Sequence, residues 1–332
     1  MFSSPTSRSW VGTDRASSAR EFHRTLPGYE ATPLTDLPPL ATELGVGRVL
    51  VKDESARLGL PAFKVLGASW ACHQVLRQQP GARLVTATDG NHGRAVARMA
   101  AHFGVPATVF VPEVMLPETA ELIAGEGAEV VRLDVGYDDA VRAAAAFAEQ
   151  SPGRALVQDT AWEGYTEVPG WIVDGYRTLM EELDEQLGAA PDLLAVPVGV
   201  GSLLEAVVRH HRRPGVPHPS VLSVEPDTAA CVLESLHAGR PVTVPTGDSV
   251  MAGLNCGTVS ASAWPVLRAG LDAAVAVSDD DTLRAVADLG VLDVSSRPSG
   301  AATLAGIRAA AAALHLPDDA VVVLLSTEGN LR

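Results

Sequence analysis

At 332 residues the chain is too long for one small core, and with 47% of its residues hydrophobic it has the material for two domains or one large α/β domain. A formal net charge of −15 without any basic stripe argues against nucleic acid and anionic membrane surfaces as partners, and no apolar run reaches membrane-spanning length. The three cysteines, Cys72, Cys231 and Cys256, are far apart in sequence, form neither a disulfide framework nor a metal cluster, and fit a reducing cytoplasm.

Residues 1–24 form a polar, Ser- and Arg-rich arm without a hydrophobic segment, which is not the pattern of a secretory signal; Asp14 and Glu21 count against a transit peptide. An extended segment is expected at 32–37, a helix at 38–44 behind a double proline and closed by Gly45 and Gly47, and a strand at 49–52. Gly59 and Pro61 then break the chain before Phe63-Lys64-Val65, where a helix begins and runs to about 79. From there strands and helices alternate: strands at 84–87, 107–111 and 129–133, helices at 93–103, 118–124 and 137–149. Such alternation means parallel strands with crossover helices. A segment at 155–159 reads as the strand that returns the chain to its other domain. The second half begins with a long amphipathic segment at 168–187. Strands follow at 193–198, 221–225, 273–277 and 320–325, with helices to about 211, at 229–238, at 279–289 capped by Ser278, and at 299–314. The expected domains are 1–45 with 156–332, the larger, and 46–155, the smaller.

Four stretches carry chemistry. Lys64 lies between apolar neighbours at a helix start, where desolvation and the positive end of the helix dipole both disfavour an ammonium and favour a neutral, nucleophilic amine. Taken alone, a surface lysine that happens to precede a helix is the simpler reading. Thr88-Asp89-Gly90-Asn91-His92-Gly93 joins a strand to a helix. Its glycines permit close approach of a ligand, its helix-start N–H groups attract a carboxylate, and Asp89 can move a proton. An N-cap aspartate in a glycine turn is the competing reading. Gly199-Val200-Gly201-Ser202 also joins a strand to a helix and suits a phosphate. It is neither a Walker loop nor a dinucleotide fingerprint, since Leu204 and Glu205 stand where the latter has its third glycine. Ser326-Thr327-Glu328-Gly329 places hydroxyls at another strand end.

In this order the four stretches resemble fold-type II pyridoxal-phosphate enzymes, the tryptophan synthase β-subunit superfamily. Within it the likeness is to the diaminopropionate ammonia-lyases. It is carried by Lys52-Asp53-Glu54-Ser55 with Ala62-Phe63-Lys64, by Ala87 to Arg94, by Gln158-Asp159-Thr160-Ala161-Trp162-Glu163-Gly164-Tyr165, by Met251 to Gly257, and by Ser326 to Gly329. The Gln158 to Tyr165 stretch points to the subfamily. The resemblance implies an α/β fold of two domains, with parallel or mostly parallel twisted sheets flanked by helices and pyridoxal 5'-phosphate in the cleft between the domains. It implies Lys64 as the Schiff-base lysine with Phe63 beside it, and Asn91 next to the cofactor's 3'-oxygen. Gly199, Val200, Gly201 and Ser202 match the phosphate loop, and Thr327 the hydroxyl partner of the pyridine nitrogen. Asp89 and Asp159 match the acid–base carboxylates, and Thr88, Gly90 and His92 the substrate contacts; His92 could equally serve only to position its turn. No metal is implied. A homodimer acting on a small amino acid is.

The implied reaction is α,β-elimination of ammonia from 2,3-diaminopropionate or a related β-substituted amino acid, giving pyruvate and ammonia. Asp89, Asp159 or freed Lys64 takes the α-proton. The alternatives are a serine/threonine dehydratase, a β-replacement synthase acting through aminoacrylate, and a catalytically silent scaffold or sensor of the same fold. A nicotinamide-dependent oxidoreductase is disfavoured by the missing third glycine. The chain departs from the family at Pro298, which stands where an acid is usual, and at Arg332, where the lyases continue. The adjacent His210 and His211, with His218, have no carboxylate or thiol near them in sequence and read poorly as a metal site.

Overall fold

The computed structural model describes residues 1–13 and 17–330. Asp14 and Arg332, both singled out above, lie outside the described residues. The strands are Phe2–Ser3 (β1), Leu34–Asp36 (β2), Arg48–Asp53 (β3), Arg83–Ala87 (β4), Ala107–Pro112 (β5), Glu129–Leu133 (β6), Arg154–Leu156 (β7), Leu193–Pro197 (β8), Ser220–Pro226 (β9), Ala273–Val277 (β10) and Val321–Ser326 (β11).

They form two sheets in two compact units. The larger unit takes Met1–Ser17, Gly28–Phe63 and Arg177–Arg332. Its seven strands run in the order β1-β10-β9-β8-β11-β3-β2. Every neighbouring pair is parallel except at the two edges, where β1 meets β10 and β2 meets β3 antiparallel. Central strand β8 is apolar and buried along its whole length, and β9 is buried from Val221 onward with Ser223 and Glu225 as its buried polar members, as parallel strands covered by helices require. The helix Pro298–Leu314 packs Ala301, Ala302, Leu304, Ala305 and Ile307 into the core with Val49, Leu193, Leu222 and Leu324. Pro298 occupies the first turn of that helix, where a missing N–H costs no hydrogen bond.

The smaller unit takes Ser18–Pro27 and Lys64–Tyr176. Its sheet, β6-β5-β4-β7, is parallel throughout. Val85, Ala87 and Phe110 pack against Ala140, Ala144 and Ala148 of the helix Tyr137–Glu149.

The elements follow the sequence reading closely, but the division does not fall at 46 and 155. Strand β3 pairs with β11 and β2, which ties the chain as far as Phe63 to the larger unit. The strand expected at 155–159 is shorter, and it pairs with β4 inside the smaller sheet instead of returning the chain. The chain passes back within the helix Glu167–Leu187, after Tyr176.

Candidate active site

In the smaller unit the chemistry gathers around Lys64, the first residue of the helix Lys64–Gln78. Its Nζ lies 2.6 Å from Asp159 Oδ2; the lysine side chain is 21% exposed and the aspartate 6%. Burial alone would lower the lysine's pKa, but the Asp159 carboxylate, with Tyr176 and Asp89, outweighs burial and raises it. The same pairing, with His92, holds the Asp159 carboxyl well below its usual range against the opposing effect of burial. The expectation of a neutral Lys64 is therefore corrected: the helix start and apolar neighbours are present, but an ion pair 95 residues away in sequence decides the charge.

The turn after β4 is built by Thr88. Its Oγ1 accepts from the N–H of Gly90 at 2.9 Å and of Gly93 at 3.0 Å. That hydroxyl oxygen is thus engaged in the turn. Gly93 is obligatory here, since a Cβ would stand 2.2 Å from Thr88 Cγ2. The helix Asn91–Phe103 begins directly afterwards, with Asp89 exposed before it and His92 buried in its first turn. His92 Nε2 lies 2.8 Å from the carbonyl oxygen of Val157. A carbonyl only accepts, so Nε2 carries the hydrogen and Nδ1 the lone pair. Burial, with the Lys64 charge, lowers the pKa of His92 despite Asp159, so it is neutral near pH 7.

Gln158 and Tyr165 support Asp159. The Gln158 side-chain carbonyl accepts from the N–H of Ala87 at 2.9 Å, which ties the end of β7 to the end of β4. The Tyr165 hydroxyl accepts from the Gln158 backbone N–H at 2.8 Å, and its ring stacks on Trp162. Sequence reasoning missed Tyr176, which acts on the Lys64 charge and is packed beside Gly67 because two helices touch at glycines. A Cβ on Gly175 would lie 2.5 Å from the Leu66 carbonyl oxygen, and one on Gly67 would lie 2.5 Å from Tyr176 Cε1. Two glycines 108 positions apart give no local signal.

In the larger unit Gly199–Ser202 forms the start of the helix Ser202–His211, with Gly201 at φ +97° as its cap. Side chains other than glycine avoid that conformation. A Cβ on Gly199 would meet Cys256 Sγ at 3.0 Å and the Gly253 carbonyl oxygen at 3.2 Å. Both glycines are thus required by close packing of the chain on itself, and the loop they form lies at a helix N-terminus, where backbone N–H groups suit a phosphate. Cys231 Sγ lies 3.6 Å from the Gly199 carbonyl oxygen, so two cysteines distant in sequence both adjoin this loop; among the described residues none of the three cysteines is in a disulfide. Thr327 is buried after β11, and its carbonyl oxygen accepts from the Phe63 N–H at 3.2 Å.

The segment leading to Phe63 is anchored by a buried charge cluster. Arg57 bonds Glu54 at 2.6 Å and Glu182 at 2.7 Å; Lys52 bonds Glu182 at 3.0 Å and Gln186 at 2.9 Å. Two cations meet two carboxylates, so the charges balance. Buried charges are tolerated only in such company.

His210 and His211 do have a carboxylate beside them, contrary to the sequence reading. Asp184, from the preceding long helix, has Oδ2 2.7 Å from His210 Nε2. Arg213 Nη2 lies 3.2 Å from the same imidazole nitrogen and 3.7 Å from that carboxylate oxygen, so a cationic side chain already faces this pair. Among the described residues no helix is long and apolar enough to cross a membrane.

The model for the family described as "Pyridoxal-phosphate dependent enzyme" matches residues 25–328. The chain belongs to this family. It is 36% identical over 356 aligned positions to the diaminopropionate ammonia-lyase of Escherichia coli K12, covering 95% of this chain and 88% of that one. The E. coli diaminopropionate ammonia-lyase crystal structure in complex with an aminoacrylate-PLP azomethine reaction intermediate superposes with a TM-score of 0.88, at 34% identity, over 99% of this chain and 91% of that one. The biosynthetic L-threonine dehydratase of E. coli K12 is 30% identical over 85% of this chain but 53% of its own length. The α/β architecture of mostly parallel sheets is that of the lyase structure.

Proposed function

We propose that this protein is a pyridoxal-phosphate-dependent carbon–nitrogen lyase that eliminates ammonia from 2,3-diaminopropionate, or a closely related β-substituted amino acid, to yield pyruvate and ammonia. The observation that carries the reading is the Lys64–Asp159 pair, a lysine held by a buried carboxylate, with the Asp89 charge acting on the same amine. The reading is supported by the identity to the lyases over nearly the whole chain.

We assign the cofactor's phosphate to the backbone loop of Gly199, Val200, Gly201 and Ser202, its covalent anchor to Lys64, its 3'-oxygen to Asn91 and its ring nitrogen to Thr327, with Phe63 beside it. When bound, the cofactor supplies the carbonyl that captures an amine and the ring that withdraws electrons from Cα. The protein's part is to hold and move protons. One of Asp89, Asp159 and Lys64 takes the α-proton, and a carboxylic acid protonates the departing amine, so that ammonia leaves instead of an amide ion. Helix-start N–H groups of the turn around Gly90, His92 among them, receive the substrate carboxylate, while the Gly90 N–H itself is held by Thr88 Oγ1 and fixes the turn. A hydroxyl at Thr327 does not force the ring nitrogen to be protonated, which suits elimination over transamination. We also infer a homodimer, on the superfamily resemblance, and a reducing cytoplasm, on three cysteines none of which is in a disulfide among the described residues.

The deciding experiment is the visible absorption spectrum of the purified protein before and after 2,3-diaminopropionate, with Lys64→Ala as control. A yellow band lost in Lys64→Ala, shifted by diaminopropionate and accompanied by ammonia release supports the reading. A band that ignores diaminopropionate but answers serine or threonine moves the chain to the dehydratases. Absence of any band after soaking in pyridoxal phosphate would leave the silent scaffold.

A further inference from the structure

A lysine that must act as a neutral amine is here held as an ammonium by a carboxylate 2.6 Å away. Some group must take its proton, and Asp159 alone is a poor sink, because its carboxyl is held well below the usual range. We propose that His92 is the proton acceptor for Lys64, reached across Asp159.

Three observations support this. The Nε2–H of His92 is committed to the Val157 carbonyl oxygen at 2.8 Å, which fixes the tautomer and leaves the Nδ1 lone pair as the ring's only basic site. That Nδ1 is buried and has no hydrogen-bond partner among the described residues, an uncommon state for an interior nitrogen. It lies 3.9 Å from Asp159 Oδ2, the same oxygen that grips Lys64. Lysine and imidazole therefore both approach one carboxylate oxygen. The groups acting on His92 are Asp159 and Lys64, and those acting on Lys64 are Asp159, Tyr176 and Asp89. The Tyr176 phenol is pushed up by burial and stays neutral, so it is no sink.

The step balances simply. A Lys64 N–H bond breaks and its electron pair stays on Nζ. Asp159 Oδ2 accepts a proton and passes one to Nδ1, ending as the carboxylate it began. The positive charge moves from ammonium to imidazolium, and nothing is oxidised. Losing the ammonium removes the charge that made His92 less basic, so the two transfers reinforce each other. Closing the 3.9 Å gap takes a rotation of the carboxylate once the lysine releases it. His92 acts through Asp159 and is a positioning and relay residue.

The inference rests on the acid–base role proposed for Asp159, and the test separates the two. His92→Gln keeps an N–H for the Val157 carbonyl and removes the Nδ1 lone pair. We expect covalent attachment of pyridoxal phosphate to Lys64 in the full-length protein, followed by absorbance, to slow by about tenfold or more at pH 7, with its pH profile displaced upward by about one unit. Attachment and profile identical to wild type would overturn the relay. Should the variant not fold, nuclear magnetic resonance titration of His92 in the cofactor-free wild type and in Lys64→Ala decides. Its midpoint should rise by about one unit when the ammonium is gone, and equal midpoints overturn the relay. Asp159→Asn supplies the other arm. Loss there with none in His92→Gln sinks the relay alone, whereas no loss in Asp159→Asn sinks the acid–base assignment with it.

Discussion

At the scale of residues, two aspartates address one amine unequally. Asp159 is buried against Lys64, whereas Asp89 is exposed at the mouth of its turn. They should therefore fail differently. Asp89→Asn keeps the Lys64–Asp159 pair and should retain bound cofactor while turnover on diaminopropionate falls about a hundredfold, the lower end of what a positioned acid or base contributes; steady-state ammonia release against the cofactor absorbance checks it. Unchanged turnover would remove Asp89 from the chemistry. The charge of Lys64 was the feature least legible from its own neighbourhood. Local reasoning saw Phe63, Val65 and a helix start, all of which disfavour an ammonium, and could not see a carboxylate brought in by tertiary structure. The identity of Asp159 was legible only through the Gln158 to Tyr165 stretch as a family pattern, because nothing in its spacing points to Lys64.

At the scale of elements, position is set by helix contact and by buried charge. The helices Lys64–Gln78 and Glu167–Leu187 touch at Gly67 and Gly175. Gly67→Ala should destabilise the protein by about 1–3 kcal/mol through overpacking against Tyr176 and Ile172. Thermal denaturation measures the loss, and a displaced Tyr176 should also alter the cofactor absorbance; an unchanged melting temperature would show that the helices can part at no cost. The charge cluster makes a second prediction. Burial opposes ionisation of Glu182, but Arg57 and Lys52 prevail and lower its pKa from 4.5 to about 2. A depressed carboxylate stabilises the fold fully above its ordinary value and loses that contribution as pH falls toward the folded one. Stability should thus drop between pH 4.5 and about 2. Glu182→Gln should remove on the order of 3 kcal/mol at pH 7 and flatten this acid limb in denaturant titrations. Lys52, Glu54 and Arg57 are near neighbours in sequence, yet their burial was not legible there; the partner Glu182 is 125 residues beyond Arg57.

For the whole molecule, the alternation of strand and helix made the parallel sheets legible, since apolar runs such as Leu193–Pro197 between helical segments admit few other readings. The edges were not. Strand β1 is two residues long and is defined by its pairing with β10, and β7 looked like an exit strand because its partner β4 lies far upstream. Pyridoxal phosphate should stabilise the protein as any ligand of the native state does, by about 2.7 kcal/mol at a hundredfold excess over its Kd. A thermal shift that grows with cofactor concentration, and shrinks in Lys64→Ala, would bear this out; no shift would mean that the folded chain does not bind it. The order of the smaller sheet, β6-β5-β4-β7, has a consequence for how the molecule is made. As the chain leaves the ribosome, β4 to β6 can pair while one edge of β4 stays open until residue 156 emerges. Asp159 follows three residues later, so the edge is sealed and the carboxylate delivered to Lys64 almost together. A nascent chain stalled before that point presents a bare parallel edge, the kind of surface on which strands of other chains add. Chains released at about 150 residues should therefore aggregate, and those released after the closing strand should not.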